Sequence, residues 1–140
     1  MAQTDELKSL LRSLSPSISD GKYCMGTFDE AQMMGLAGYI KYIVGIFREN
    51  EGLTAVFSDE IMEEMALYTS AKIAGPFALI TLGVVSPLAS VGLLAAITGA
   101  LAKEGVPVNA YSAFYHDHLL VPYDKREAAL SALKKLQKIA

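Results

Sequence analysis

The sequence predicts an α+β fold: two tandem units, each with helices covering one face of an antiparallel sheet. Three observations carry this. β-rich runs alternate with helical runs instead of segregating by type. The order strand, connection, strand, hairpin strand, helix occurs twice, with Val56-Phe57-Ser58-Asp59 and Val121-Pro122-Tyr123-Asp124 in equivalent places. Finally, 52% of the 140 residues are hydrophobic, which supports a substantial core and argues against disorder. Strand–helix–strand followed by hairpin and helix is the ferredoxin-like order. The expected division is an N-terminal unit over residues 1–75 and a C-terminal unit over 76–140.

The elements follow in order. Thr4 is placed to cap a helix whose first turn holds Asp5 and Glu6, where the dipole favours anions. Leu7, Leu10, Leu11 and Leu14 give it one apolar face, and Ser15-Pro16 ends it. Residues 22–28 read as a strand, and 29–38 as a loop or a short helical turn. Residues 39–48, rich in Ile, Val, Tyr and Phe, read as a strand, turned by "ENEG" at 49–52 with Gly52 free to take positive φ. Residues 53–57 return, and Ser58 caps a helix with Ile61, Met62, Met65 and Ala66 on one side.

In the second half, 77–85 reads as a strand buried on both faces, and 86–90 as a turn. A helix then runs to Lys103 and is stopped by Gly105. Residues 108–115 and 118–121 form a hairpin. Asp124 caps a last helix with Glu127 at its third position, and Ala129, Leu130, Leu133 and Leu136 face the core.

Composition excludes several function classes. The formal charge of -3 offers no basic field for nucleic-acid phosphates, and Trp is absent. Cys24 is the only cysteine, so no intramolecular disulfide forms. "MAQTDELKSLLRSL" lacks a basic region and an apolar core, so the expected location is the cytoplasm. The stretch between Lys72 and Lys103 carries no charge and is long enough to cross a bilayer. Pro87 and Ser86 split it, however, and a strand, a turn and a buried helix account for it, so no membrane partner is expected.

Catalysis finds no elbow, phosphate loop or metalloprotease helix. Glu60, Glu63 and Glu64 read as a solvated helix face, Cys24 as a buried thiol, and Met25, Met33, Met34, Met62 and Met65 as core filling. No cofactor is expected. His116, Asp117 and His118 invite a metal reading, but in extended backbone the first and third share a face while the middle residue points away. One short stretch also supplies too few ligands for tetrahedral zinc, so no metal is expected.

Two features suit a small ligand. The helix start after the 86–92 turn offers unpaired amides and a partial positive charge to a carboxylate. Gly92, without Cβ, lets another group approach. The structural alternative is that Gly92, Ala96 and Gly99 only let the helix pack tightly. Asp117, at a strand corner, is suited to a ligand ammonium, or to bonding its own turn.

"SPLASVGLLAAITGALAKEGVPVNAYSAFYHDHLLVP", residues 86–122, resembles an ACT domain, the small-molecule-binding regulatory module. Gly92 stands at that family's turn glycine, and "LAKEGVPVNAYS" matches its helix exit and second strand. The closing "FYHDHLLVP" is similar to the ACT repeats of cytosolic amino-acid sensors and, more loosely, of aspartate kinase regulatory halves. The whole chain, with "EGLTAVF" in its first half, resembles small bacterial proteins of two tandem ACT-like units. The match is strong over 77–137 and weaker over 1–76, where the first helix is lacking.

The resemblance implies a regulatory binding protein rather than an enzyme, taking an amino-acid-like ligand at an ACT–ACT junction in a homodimer or larger homo-oligomer. It implies ligand contact by Leu88, Ser90, Val91, Gly92, Ser112, Phe114 and Asp117. Asp117 would receive the ammonium and Phe114 form an apolar wall. It gives His118 a hydrogen-bonded structural role. The alternatives are a ligand-free protein-interaction module and a membrane-transport-associated component.

Overall fold

The computed structural model describes residues 4–68 and 72–140. Its elements are α1 (Asp5–Arg12), β1 (Pro16–Ile18), β2 (Tyr23–Phe28), α2 (Met33–Ala37), β3 (Ile43–Glu49), β4 (Gly52–Ser58), α3 (Met62–Tyr68), β5 (Ile73–Leu82), α4 (Leu93–Lys103), β6 (Asn109–Ser112), β7 (Asp117–Pro122) and α5 (Arg126–Ile139). They form two compact units. The inner unit is Gly21–Phe77, and the terminal unit joins the residues up to Asp20 to Ala78–Ala140. The spatial division therefore departs from a sequential one at the N-terminus, and the other boundary falls inside β5.

In the inner unit the strand order is β3-β4-β2-β5. β2 and β4 pair antiparallel from Tyr23 opposite Ser58 to Phe28 opposite Leu53. Alternation sends Cys24, Phe28, Leu53, Ala55 and Phe57 to one face, where they bury against Leu36, Ile61 and Met65. Phe28 and Phe57 meet edge to face at 6.2 Å between centroids. Gly52 turns the β3–β4 hairpin with φ 146, as its place in "ENEG" predicts.

The terminal unit repeats this order with one strand supplied from elsewhere. β6, β7, β5 and β1 stand side by side. β1 pairs antiparallel with the end of β5, Pro16 opposite Leu82 and Ile18 opposite Ile80. The N-terminal segment thus fills the fourth-strand place of this unit. A ferredoxin-like unit is completed by permutation. Leu7, Leu11 and Leu14 from the N-terminal segment join Ala78, Ile80, Leu82, Leu93, Ile97, Leu101, Leu119, Val121, Ala129 and Leu133 in one buried cluster.

Several expectations need correction. The strand expected over 39–48 starts only at Ile43, because Ile40–Tyr42 form a 3-10 turn. β1 was not foreseen, since three residues between Pro16 and Ile18 are too few to show a period. Asp124 does not cap α5. It lies within a 3-10 turn, Tyr123–Lys125, and the helix starts at Arg126 with no side-chain cap. A matching 3-10 turn, Asp59–Ile61, follows β4, so Ser58 answers to Pro122 and the repeat is offset by one residue from the expected register. Of the methionines expected in the core only Met65 is fully buried; Met33, Met34 and Met62 are exposed and Met25 half-buried. Ala66 is exposed and Glu64 half-buried. A Cβ on Gly99 would meet nothing within 4 Å among the described residues, so Gly99 serves no tight packing within this chain.

Candidate functional site

The site predicted from the sequence lies wholly in the terminal unit, where β5 ends and β7 begins. α1 forms where expected, with the Leu7 amide donating to Thr4 Oγ1 at 3.0 Å. β5 carries Ala78, Leu79 and Ile80 buried in succession, the two-faced burial its apolar run implies. The chain leaves β5 at Leu82, loops through 83–92 and enters α4. Gly92 caps that helix with φ 97, a left-handed conformation in which side chains with Cβ are strained. As the N-cap residue, Gly92 brings no side-chain hydrogen bond to the α4 amides.

Across from this loop, the β6–β7 hairpin turns through 113–116, closed by the Ala113 amide on the His116 carbonyl at 3.0 Å. Two side-chain bonds tie hairpin to loop. Ser86 Oγ donates to Asp117 Oδ2 at 3.4 Å, and His116 Nδ1 donates to the Val84 carbonyl at 3.2 Å. Among the described residues Asp117 is the buried charged one, 8% exposed. At that distance the Ser86 hydroxyl is a long, weak partner for the carboxylate.

The other predicted residues flank this pair. Ser112 stands opposite Asp117 in the hairpin register and is exposed. Phe114 is 71% exposed and stacked edge-on against Tyr115 at 5.0 Å. On the loop, Leu88 and Val91 are 71% and 87% exposed, while Ser90 is half-buried with its amide on the Pro87 carbonyl. Loop and hairpin therefore meet at Ser86 and Asp117, with large apolar side chains standing in solvent on both. Sequence reasoning passed over Ser86 as a turn residue. Its signal was its place: a hydroxyl in the loop between β5 and α4, within reach of Asp117. It also passed over Val85, 61% exposed beside it.

The histidines behave as strand alternation requires. His118 shares a hydrogen bond with Thr81 Oγ1, Nδ1 to oxygen 3.0 Å, while Asp117 is on the alternate face, toward Leu119 and Val121 in the core. The His116 and His118 rings stand 6.4 Å apart. Among the described residues no three His, Cys, Asp or Glu side chains gather as a metal would need. In the inner unit, burial first and the Asp59 carboxylate second push the Cys24 thiol up, away from a nucleophilic thiolate.

Burial first, and then the neighbouring His116, hold the His118 imidazole below its ordinary value; Asp117 pulls the other way. A lowered folded pKa means that stability contributed by neutral His118 is complete above the unfolded value near 6.5. It is lost as pH falls below that value, because the unfolded chain takes the proton first. Melting temperatures should therefore drop from about pH 7.5 to 5.5 more steeply in the native chain than in His118→Gln. Equal slopes would remove His118 from the account.

Geometry and fold together define an α+β protein of two ferredoxin-like units, one carrying a buried carboxylate against the loop that leads into a helix. Two ACT domain models match the chain, over residues 4–73 and 76–135. It is similar to a Vibrio cholerae protein of unknown function described as a possible transport protein, at 35% identity over 94% of this chain and 96% of that one, TM-score 0.77. It shares its fold with the regulatory subunit of aspartate kinase from Thermus flavus, at 11% identity, 89% and 98% coverage and TM-score 0.67. The same holds for the aspartokinase alpha and beta subunits, at 14% identity, 86% and 95% coverage and TM-score 0.70. Among curated proteins none matches. The chain belongs to the ACT domain family. Among the described residues no helix is long and apolar enough to cross a membrane.

Proposed function

We propose that this chain is a non-catalytic, cytoplasmic regulatory protein that binds a small amino acid at the end of its terminal unit. The observation that carries the reading is Asp117: a carboxylate 8% exposed, with a hydroxyl at 3.4 Å and no cation against it among the contacts of the described residues. A ligand α-ammonium supplies the missing charge in a charge-assisted bond. The first amides of α4, after Gly92, suit the ligand α-carboxylate. Leu88, Val91 and Phe114 are too exposed to enclose a side chain alone. A second copy laid over this end would bury them, which supports a homodimer or larger homo-oligomer with the ligand at the junction and Ser90 and Ser112 at its rim. Regulation follows by linkage, since a ligand that prefers one arrangement of the assembly shifts the population toward it.

Asp117→Asn tests this. It keeps the shape and can still take the Ser86 hydrogen bond, so the fold should stand. The bond to a ligand ammonium loses its charge, worth about 1.5–3 kcal/mol, or roughly tenfold to a hundredfold in affinity. Thermal shift with a panel of L-amino acids should give stabilisation in the native chain and little or none in the variant. A variant that retains the full shift would separate Asp117 from binding.

A further inference from the structure

The loop at 83–92 is gripped along the side away from the hairpin by the N-terminal segment, which supplies none of the proposed ligand-contact residues. The Gly83 amide donates to the Ser15 carbonyl at 3.0 Å, and the Val84 amide to the Leu14 carbonyl at 3.2 Å. A Cβ on Gly83 would lie 3.1 Å from that Ser15 oxygen, so the two backbones are nearly in contact. At the far end of the loop, a Cβ on Gly92 would lie 3.1 Å from Leu7 Cδ2. Leu7 is itself 9% exposed and belongs to the same buried cluster as Leu93, the first residue of α4.

The segment is fastened elsewhere as well. Gln137 of α5 accepts from the Ser15 amide at 3.0 Å and donates to the Arg12 carbonyl at 2.8 Å. Arg12 Nε donates to the Ala140 carbonyl at 3.1 Å. β1 is paired to β5 immediately before the loop. The segment is thus held at several points, and the loop is packed against it.

We propose that Leu7 is a positioning residue: α1 and β1 act as a strap whose seat fixes the 83–92 loop and the start of α4, and so sets the shape of the ligand site without touching the ligand. This deepens the proposed function, on which its bearing on a ligand rests. The positioning itself stands without any ligand. Anything that lifts α1, such as a partner on its exposed face, would then open the loop and weaken the site, and by reciprocity an occupied site would hold α1 down.

Hydrogen exchange on the intact chain, with no ligand added, tests the positioning. In Leu7→Ala, amides of the 83–92 loop should exchange faster by about tenfold or more, while β3–β4 of the inner unit keeps its native rates. Leu7→Met conserves volume and should stay within about threefold of native in the loop. Native exchange in the loop of Leu7→Ala overturns the proposal, and so does an equal speeding of every segment, which would make Leu7 an ordinary core residue. Should Leu7→Ala fail to fold, Leu7→Val replaces it on the same criterion: loop-selective loss larger than in Leu7→Met supports positioning, and equal loop rates in the two overturn it. Because no ligand enters, failure here is separate from failure of the amino-acid reading.

Discussion

A fragment of residues 76–140 is expected to remain unfolded in buffer, although it contains α4, β6, β7 and α5 in full. The reason lies in what it lacks. Leu7, Leu11 and Leu14, at 9%, 0% and 0% exposure, belong to the core of the terminal unit and come from the other end of the chain. Cutting a buried leucine back to alanine costs about 2–5 kcal/mol, so losing three approaches the whole stability of a small domain, about 5–15 kcal/mol. The fragment also loses β1, leaving β5 from Ile80 to Leu82 without its antiparallel neighbour and the Gly83 and Val84 amides without acceptors. Circular dichroism and amide dispersion should show an unfolded or molten fragment. A peptide of residues 1–20 added in trans should restore cooperative melting. A fragment that melts cooperatively at the temperature of the intact chain would contradict the permuted completion of this unit.

Gly92→Val should be the most damaging single substitution at the site. At φ 97 a β-branched residue is far outside its allowed region, and holding it there costs about 1–3 kcal/mol. The new side chain also meets Leu7 Cδ2, 3.1 Å from its Cβ, and overpacking of this kind costs about 1–3 kcal/mol more. Chemical denaturation should give a loss of several kcal/mol, with Gly92→Ala intermediate because it adds the Cβ but not the branches. If Gly92→Val melted like the native chain, the left-handed cap and the Leu7 contact would both be in error.

The sequence made the two-unit α+β order legible because its strongest signals are local: the Thr4 cap, the leucine spacing of α1, the Gly52 turn, and the small-residue helix ended by Gly105. What it hid is long-range. That Pro16–Ile18 would form a strand depends on a partner at Ile80–Leu82 far along the chain, and no period can develop in so short a run. The same holds for Asp124, where "YDKRE" carries a capping pattern, yet the chain leaves Pro122 into a 3-10 turn that uses up the expected cap. At the site, Asp117 could be singled out because alternation set it apart from its two histidines. Gly92 could be singled out too, but for a different reason from the one found. Its neighbour is Leu7 of the same chain, and its φ alone demands glycine. The exposed methionines show the limit of composition, since an apolar side chain does not state which face of its element will be covered.

The most direct test of the central reading is calorimetric titration of the dialysed, folded chain with each common L-amino acid in turn. At least one should give a saturable heat that Asp117→Asn abolishes or weakens by roughly tenfold or more. Silence from all of them on a sample that melts cooperatively would contradict the assignment of this chain as an amino-acid-binding regulator.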